Sequence, residues 1–216
     1  MKSQSHVGRR HFMAAALSLG VAASLPLQHA LAANASESAA AQRTIERLNA
    51  ALMDVLTNGD TLKFEGRYQK LQPVLAAMFD IPEMARVATG PKWSTLSDSD
   101  KQAMTDLFGK YMTTMYAARF RGHGGESFEI GDVKPRDNGK MLVITKMSRK
   151  DGEPVELSYM MKGQADTWKV VDVYYNGSIS QLAQLRSEFS GAIRDGGVQK
   201  LEAVLADKVQ QMQGGA

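Results

Sequence analysis

Histidine and cysteine are the side chains most able to do acid–base, nucleophilic or metal chemistry at neutral pH, and this sequence has four of the first and none of the second. Three of the four, His6, His11 and His29, lie in an N-terminal stretch read below as removed, which leaves His123. One histidine without cysteine does not assemble a Cys–His nucleophile, a triad drawing on a second histidine, or a histidine-rich zinc site. His123 itself stands in Arg121-Gly122-His123-Gly124-Gly125, a turn between a predicted helix and a predicted strand. That order is the reverse of a phosphate-binding loop, which follows a strand and opens a helix. The carboxylate pair Asp98/Asp100 falls in the first turn of a predicted helix, where acidic groups favour the positive end of the helix dipole. No cofactor or metal is expected.

The N-terminal stretch has its own logic. Lys2, Arg9 and Arg10 precede an apolar run from Phe12 to Leu25, followed by Pro26 and the small-residue site Ala30-Leu31-Ala32. A basic segment, a short apolar segment and an A-x-A site read as a cleaved secretory signal over residues 1–32, leaving a single domain over 33–216 and a periplasmic protein. The run is shorter than the ~20 residues of a membrane span. Arg9-Arg10-His11-Phe12-Met13 also fits a twin-arginine export signal, with Gly8 where Ser or Thr is usual. Without the signal, the 26 basic residues of the chain fall to 23, against 23 acidic ones. A neutral mature chain has no general basic face for nucleic acid, and no such partner is expected. Without cysteine, an oxidising compartment imposes no disulfide, so stability rests on an ordinary core.

Periodicity supplies that core. Ile45, Leu48, Leu52 and Val55 or Leu56 recur at helical spacing up to Asn58-Gly59, and Phe64, Tyr68, Leu71, Leu75 and Met78 continue in a second helix that Pro73 is expected to break or kink. A short helix follows at Pro82 to Ala88. Ser97 with Asp100 three residues on opens another, with Met104, Leu107, Phe108, Tyr111, Met112 and Met115 on one face. The period then falls to two. Ser127 to Ile130 opens a strand, Asn138-Gly139 marks a hairpin turn, and strands are expected over Lys140 to Arg149, Val155 to Lys162 and Trp168 to Tyr175, with Asp151-Gly152 as a further turn. Two helices close the chain, one begun by Ser178 with Ile179, Leu182, Leu185, Phe189 and Ile193, the other carrying Val198, Leu201, Leu205, Val209 and Met212. The fold class is therefore α+β, a four-stranded antiparallel meander packed against N- and C-terminal helices.

One set of alternating sheet positions is Met141, Val143, Thr145, Met147, Val155, Leu157, Tyr159 and Met161. An ordinary core explains such a face. The 13 methionines add a second reading, because flexible thioether side chains adapt to irregular apolar partners. With Met112 and Met115 of the preceding helix, these residues are candidates to line an apolar cavity that has a few polar groups at its mouth.

Trp168-Lys169-Val170-Val171-Asp172-Val173, followed by Gly177-Ser178-Ile179-Ser180, resembles the signature of the MlaC, or toluene-tolerance, family of periplasmic phospholipid-binding proteins. Phe79-Asp80, Ala88 to Trp93, the Ser97 helix start and Leu185 to Phe189 before Gly196-Gly197 occur in that family's order over essentially the whole mature chain. The run Ser180 to Phe189 is most similar to the hopanoid-associated HpnM branch. The resemblance implies a non-catalytic carrier with a deep lipid cavity between sheet and helices, holding a phospholipid or a hopanoid. It also implies partners: an inner-membrane lipid transporter of the ABC/MCE or RND type, and an outer-membrane lipoprotein complex. Two readings from other classes stand beside it. A cone-shaped α+β enzyme of the cystatin-like or nuclear-transport-factor-like kind would use Asp172 with Tyr159 or Tyr174 on a small apolar substrate. A pure adaptor would bind no ligand of its own.

Overall fold

The computed structural model of the protein describes residues 25–122, 124–150 and 152–214. The chain falls into two units, Met1–Asn34 and Ala35–Ala216. Residues 1–24 of the expected signal, His123, and Asp151 of the expected second turn lie outside the described residues, and of 25–32 only helical backbone is described.

The first helix, α1 (Leu25–Thr57), buries Ile45, Leu48, Leu52 and Val55 at the spacing of one helical face. It ends at Asn58, and α2 (Gly59–Met78) follows directly. The helix does not break at Pro73. Helix continues through it, because Pro73 and the residue four positions back, Gln69, are both solvent-exposed, so the carbonyl that loses its amide partner lies on the wet side. The break in α2 lies instead at Lys63, whose φ of 53° and ψ of −173° interrupt the helix after its first turn.

Arg67 shows what holds that break in place. It is 4 % exposed, and its guanidinium donates to the Gly59 carbonyl at 3.1 Å and to the Ala117 carbonyl at 2.8 Å. Ala117 belongs to the last turn of α4 (Asp98–Arg119), where a helix runs out of its own amides. A short α3 (Ile81–Thr89), with its Asp80 side chain accepting from the Glu83 amide, and a 3₁₀ turn over Gly90–Thr95 lie between α2 and α4. Ser97 caps α4 through the Asp100 amide at 3.1 Å, as its spacing predicts.

The sheet is antiparallel, in the order β1 (Ser127–Arg136), β2 (Lys140–Ser148), β3 (Val155–Lys162), β4 (Lys169–Tyr175) and β5 (Ile179–Ser180). The meander thus carries a fifth strand where four were expected. Ile179 and Ser180 pair with Tyr175 and Tyr174, and Ile179 is 43 % exposed rather than part of a helix face. The Ser178/Gln181 spacing imitates a helix start, but the cap is Ser180, whose hydroxyl accepts from the Ala183 amide at 2.9 Å. Asn138 and Gly139 both take left-handed φ, so the β1–β2 turn forms where the Asn-Gly pair predicts.

Two bulges modify the ladder. Gly131 and Asp132 of β1 face the single residue Ile144 between the Ile130 and Val133 pairings, and Val171 is inserted in β4 between residues paired with Met160 and Met161. The second insertion changes a sequence expectation. It shifts the phase of β4, so Asp172 pairs with half-buried Met160 on the outer side and not with the inward set of Val170. On the far side of β4 from β3, Phe79 bridges Val170, and the Asp80 amide donates to the Val170 carbonyl at 2.9 Å.

The last helix, α5 (Gln181–Gly214), is interrupted at Gly196-Gly197 and is in effect the two helices that periodicity predicts. Gly197, at φ of 70°, occupies a conformation that glycine takes without strain. The helices pack on the inner face of the sheet, and residues of all of them share one core with that face. Trp168 enters the core and donates its indole N–H to Glu37 of α1 at 2.8 Å, while the same carboxylate accepts from the Ala165 amide at 2.9 Å.

Candidate functional site

A cavity of about 540 Å³ opens between the inner face of the sheet and the helices. Leu56 of α1 and Tyr116 and Phe120 at the end of α4 form one wall, and Met147, Leu157, Tyr159 and Val173 of β2, β3 and β4 form the other. Tyr175 and Ile179 continue the sheet side, and Arg119, Glu126, Arg149, Gln181 and Gln184 complete the lining. The alternation of β2 and β3 turns Met147, Leu157 and Tyr159 inward, and the end of α4 lies across from them because its last turns are apolar on several sides, with Tyr116 and Ala117 both buried. The apolar residues Leu56, Met147, Leu157 and Val173 are all less than a tenth exposed, whereas Arg119 and Arg149 are open to solvent. The lining thus grades from apolar floor to charged rim.

Of the ten residues expected to line a cavity, Met147, Leu157 and Tyr159 do so. Met141, Val143, Val155 and Met161 share the same inward face but belong to the packed core, and Thr145 is fully buried among them without bordering the cavity. Met112 and Met115 are likewise buried on α4 without bordering the cavity. Sequence reasoning missed Leu56, Tyr116, Phe120 and the polar rim. Tyr116 and Phe120 stand four apart on α4, a spacing that could have flagged them, and their rings stack at 5.7 Å. The rim arginines carry no comparable signal, since a surface arginine reads as solvated in any sequence.

Electrostatics keep the floor neutral. Burial pushes the Tyr159 phenol well above the ordinary tyrosine range, with Tyr116 nearby adding to the effect. Burial also raises Tyr116 strongly, against the opposing charge of Arg119. Both phenols therefore stay protonated. Asp172 lies off the cavity, where its Oδ1 accepts from the Val173 amide at 2.8 Å and the Leu182 amide at 3.1 Å, and its Oδ2 accepts from the Ser180 hydroxyl at 2.6 Å. Tyr174, on the outer side with Asp172, is raised by burial and then by that carboxylate. The sheet thus parts Asp172 from Tyr159, while Asp172 and Tyr174 share the outer side and neither borders the cavity. Among the described residues no cluster of three or more His, Asp or Glu is placed to hold a metal ion, and no helix is long and apolar enough to cross a membrane.

Comparison with known proteins adds three findings. Residues 46–207 match the family described as MlaC protein. No curated protein matches the chain in sequence. Among solved structures, the fold is similar to that of a phospholipid-binding protein from Ralstonia solanacearum in complex with a phospholipid, at 20 % identity and a TM-score of 0.70, covering 80 % of this chain and 98 % of that one.

Proposed function

Starting from a chain that belongs to the MlaC family, we propose that it is an exported, non-catalytic carrier whose cavity takes the acyl part of a phospholipid. The observation that carries the reading is the graded lining: an apolar floor closed by neutral phenols, under a rim of guanidinium and amide groups. A molecule with a hydrocarbon end and a polar end matches both halves. The likeness to a protein solved with a phospholipid supports the same class of ligand. Burial of methylenes supplies the affinity, at about 0.8 kcal/mol for each CH₂, so no covalent step is needed.

Size refines the reading. Taking about 30 Å³ per water-sized unit, close to the bulk of one methylene, the cavity of about 540 Å³ holds about eighteen such units. One acyl chain of ordinary length fills it, and a second requires the walls to part.

In this proposal residues 1–32 direct export to the periplasm and are removed. The carrier then passes its cargo between an inner-membrane lipid transporter and an outer-membrane lipoprotein complex. A hopanoid cargo is favoured by one specific feature, the run Ser180 to Phe189 at the start of α5, part of which borders the cavity through Gln181 and Gln184. The test is lipid extraction and native mass spectrometry of protein purified from the periplasm of a host expressing the full chain. A phospholipid at near one per protein is expected. A hopanoid in its place would shift the cargo assignment, and an empty cavity would overturn the carrier.

A further inference from the structure

Arg119 and Arg149 reach the rim from different elements. Arg119 closes the last turn of α4, and Arg149 follows the last residue of β2. The β1–β2 register places Ser148 opposite Ser127, and the Phe120 and Phe128 rings lie 6.4 Å apart, so the end of α4 and the end of β2 converge on the same side of the cavity. Arg86 pairs with Glu83 at 2.7 Å and Arg43 with Asp166 at 3.7 Å, while Arg67 donates to the Gly59 and Ala117 carbonyls. Neither Arg119 nor Arg149 has a hydrogen-bond or ion-pair partner among the described residues. The rim carboxylate, Glu126, is already engaged by the Gly124 amide.

We propose that Arg119 and Arg149 form a phosphate-binding fork that makes the cavity select lipids with an anionic phosphate over uncharged lipids with the same tails. The inference rests on the lipid-carrier reading and adds a headgroup to it. Guanidinium presents planar paired donors that match phosphate oxygens two at a time, which an ammonium does not. The cavity below has apolar walls and neutral phenols, so among the described residues the strong anion-seeking groups of its lining sit at the height where a headgroup emerges. Gln181 and Gln184 offer neutral contacts to whatever the phosphate carries.

The experiment incubates delipidated protein with vesicles containing equimolar dioleoylphosphatidylglycerol and dioleoylglycerol, then measures the lipid retained per protein by mass spectrometry. The wild type is expected to favour the phosphatidylglycerol by about tenfold, the factor that ~1.4 kcal/mol supplies. Arg119→Gln/Arg149→Gln should bring the ratio close to unity while total lipid stays high, and Arg119→Lys/Arg149→Lys should fall between. A third arm with dioleoylphosphatidic acid distinguishes a terminal phosphate from a bridging one as the preferred chemistry. A wild type that takes both lipids equally, or a double Gln variant that keeps the wild-type ratio, overturns the fork and leaves the carrier standing. A wild type that retains neither lipid overturns both.

Discussion

Replacing Asp172 by Asn removes one charge and one acceptor oxygen from a junction that ties β4 to the start of α5. The carboxylate accepts from three donors, the Val173 and Leu182 amides on Oδ1 and the Ser180 hydroxyl on Oδ2. Asparagine keeps Oδ1 and both amide contacts. The hydroxyl contact loses its charge and reverses, the asparagine NH₂ donating to a Ser180 oxygen that also accepts from the Ala183 amide, and the Ser180 proton loses its carboxylate acceptor. A hydrogen bond to a charged group contributes about 1.5–3 kcal/mol, and partial exposure of Asp172 places this one at the lower end, so a loss of about 1–2 kcal/mol is expected. For a domain of this size that is a fall in Tm of about 2–8 °C. Asp172→Ala also strands the Leu182 amide and should fall further, while lipid retention in the Asn variant stays at the wild-type level. Thermal unfolding followed by circular dichroism, paired with mass spectrometry of retained lipid, measures both. An Asn variant as stable as the wild type, or an Ala variant no worse than Asn, would refute the assignment of Asp172 as a junction anchor. A stabilised Asn variant that lost a wild-type activity would restore the enzyme reading.

Leu157→Trp fills the cavity from β3 and should cut retained lipid severalfold at little cost in stability, whereas Val143→Trp, fully buried in packed core, should lose about 1–3 kcal/mol through overpacking; equal Tm values for the two would mean the cavity is misplaced. Glu37→Gln weakens the anchor on Trp168 by about 1 kcal/mol and should alter Trp168 fluorescence, and an unchanged emission spectrum and Tm would show that α1 is not held there. Alkaline pH tests the buried phenols. An unfolded tyrosine releases its proton near pH ~10, while Tyr116 and Tyr159 in the folded state release theirs higher, so between those values the unfolded chain binds fewer protons and folding weakens as pH rises. Their contribution is whole below pH ~10 and is lost above it. Tyr116→Phe should move alkaline unfolding to higher pH, and full tyrosinate absorbance at 295 nm before any loss of circular dichroism would contradict the burial.

What the sequence discloses and what it hides divide along physical lines. Helical faces, the Ser97 cap and the Asn138-Gly139 turn depend on local spacing, and each forms where that spacing places it. β5 is two residues long and is defined by its pairing with Tyr174 and Tyr175, a tertiary fact that no local pattern announces. The Val171 bulge carries no glycine to mark it, and the Lys63 break falls on a residue type that ordinarily favours helix. For the site, alternation identified the inward face of β2 and β3. Which inward residues border space and which border side chains depends on where α4 and α5 dock, so Met147, Leu157 and Tyr159 could not be separated in advance from Val143 or Met161.

The two borders of the sheet bear on how copies of the protein meet when the cavity is empty. Under the proposed carrier function, emptying the cavity uncovers apolar surface, and that surface would suit a neighbouring copy equally well. Runaway association also needs a straight row of unpaired amides and carbonyls on which another chain can grow a strand. β1 spoils that row with the Gly131-Asp132 bulge, Lys134 and Pro135. β4 is closed piecewise, by Phe79 and Asp80 at Val170 and by β5 at Tyr174 and Tyr175. A copy that meets another while empty can therefore touch and part, because neither border offers a template that would make the encounter permanent.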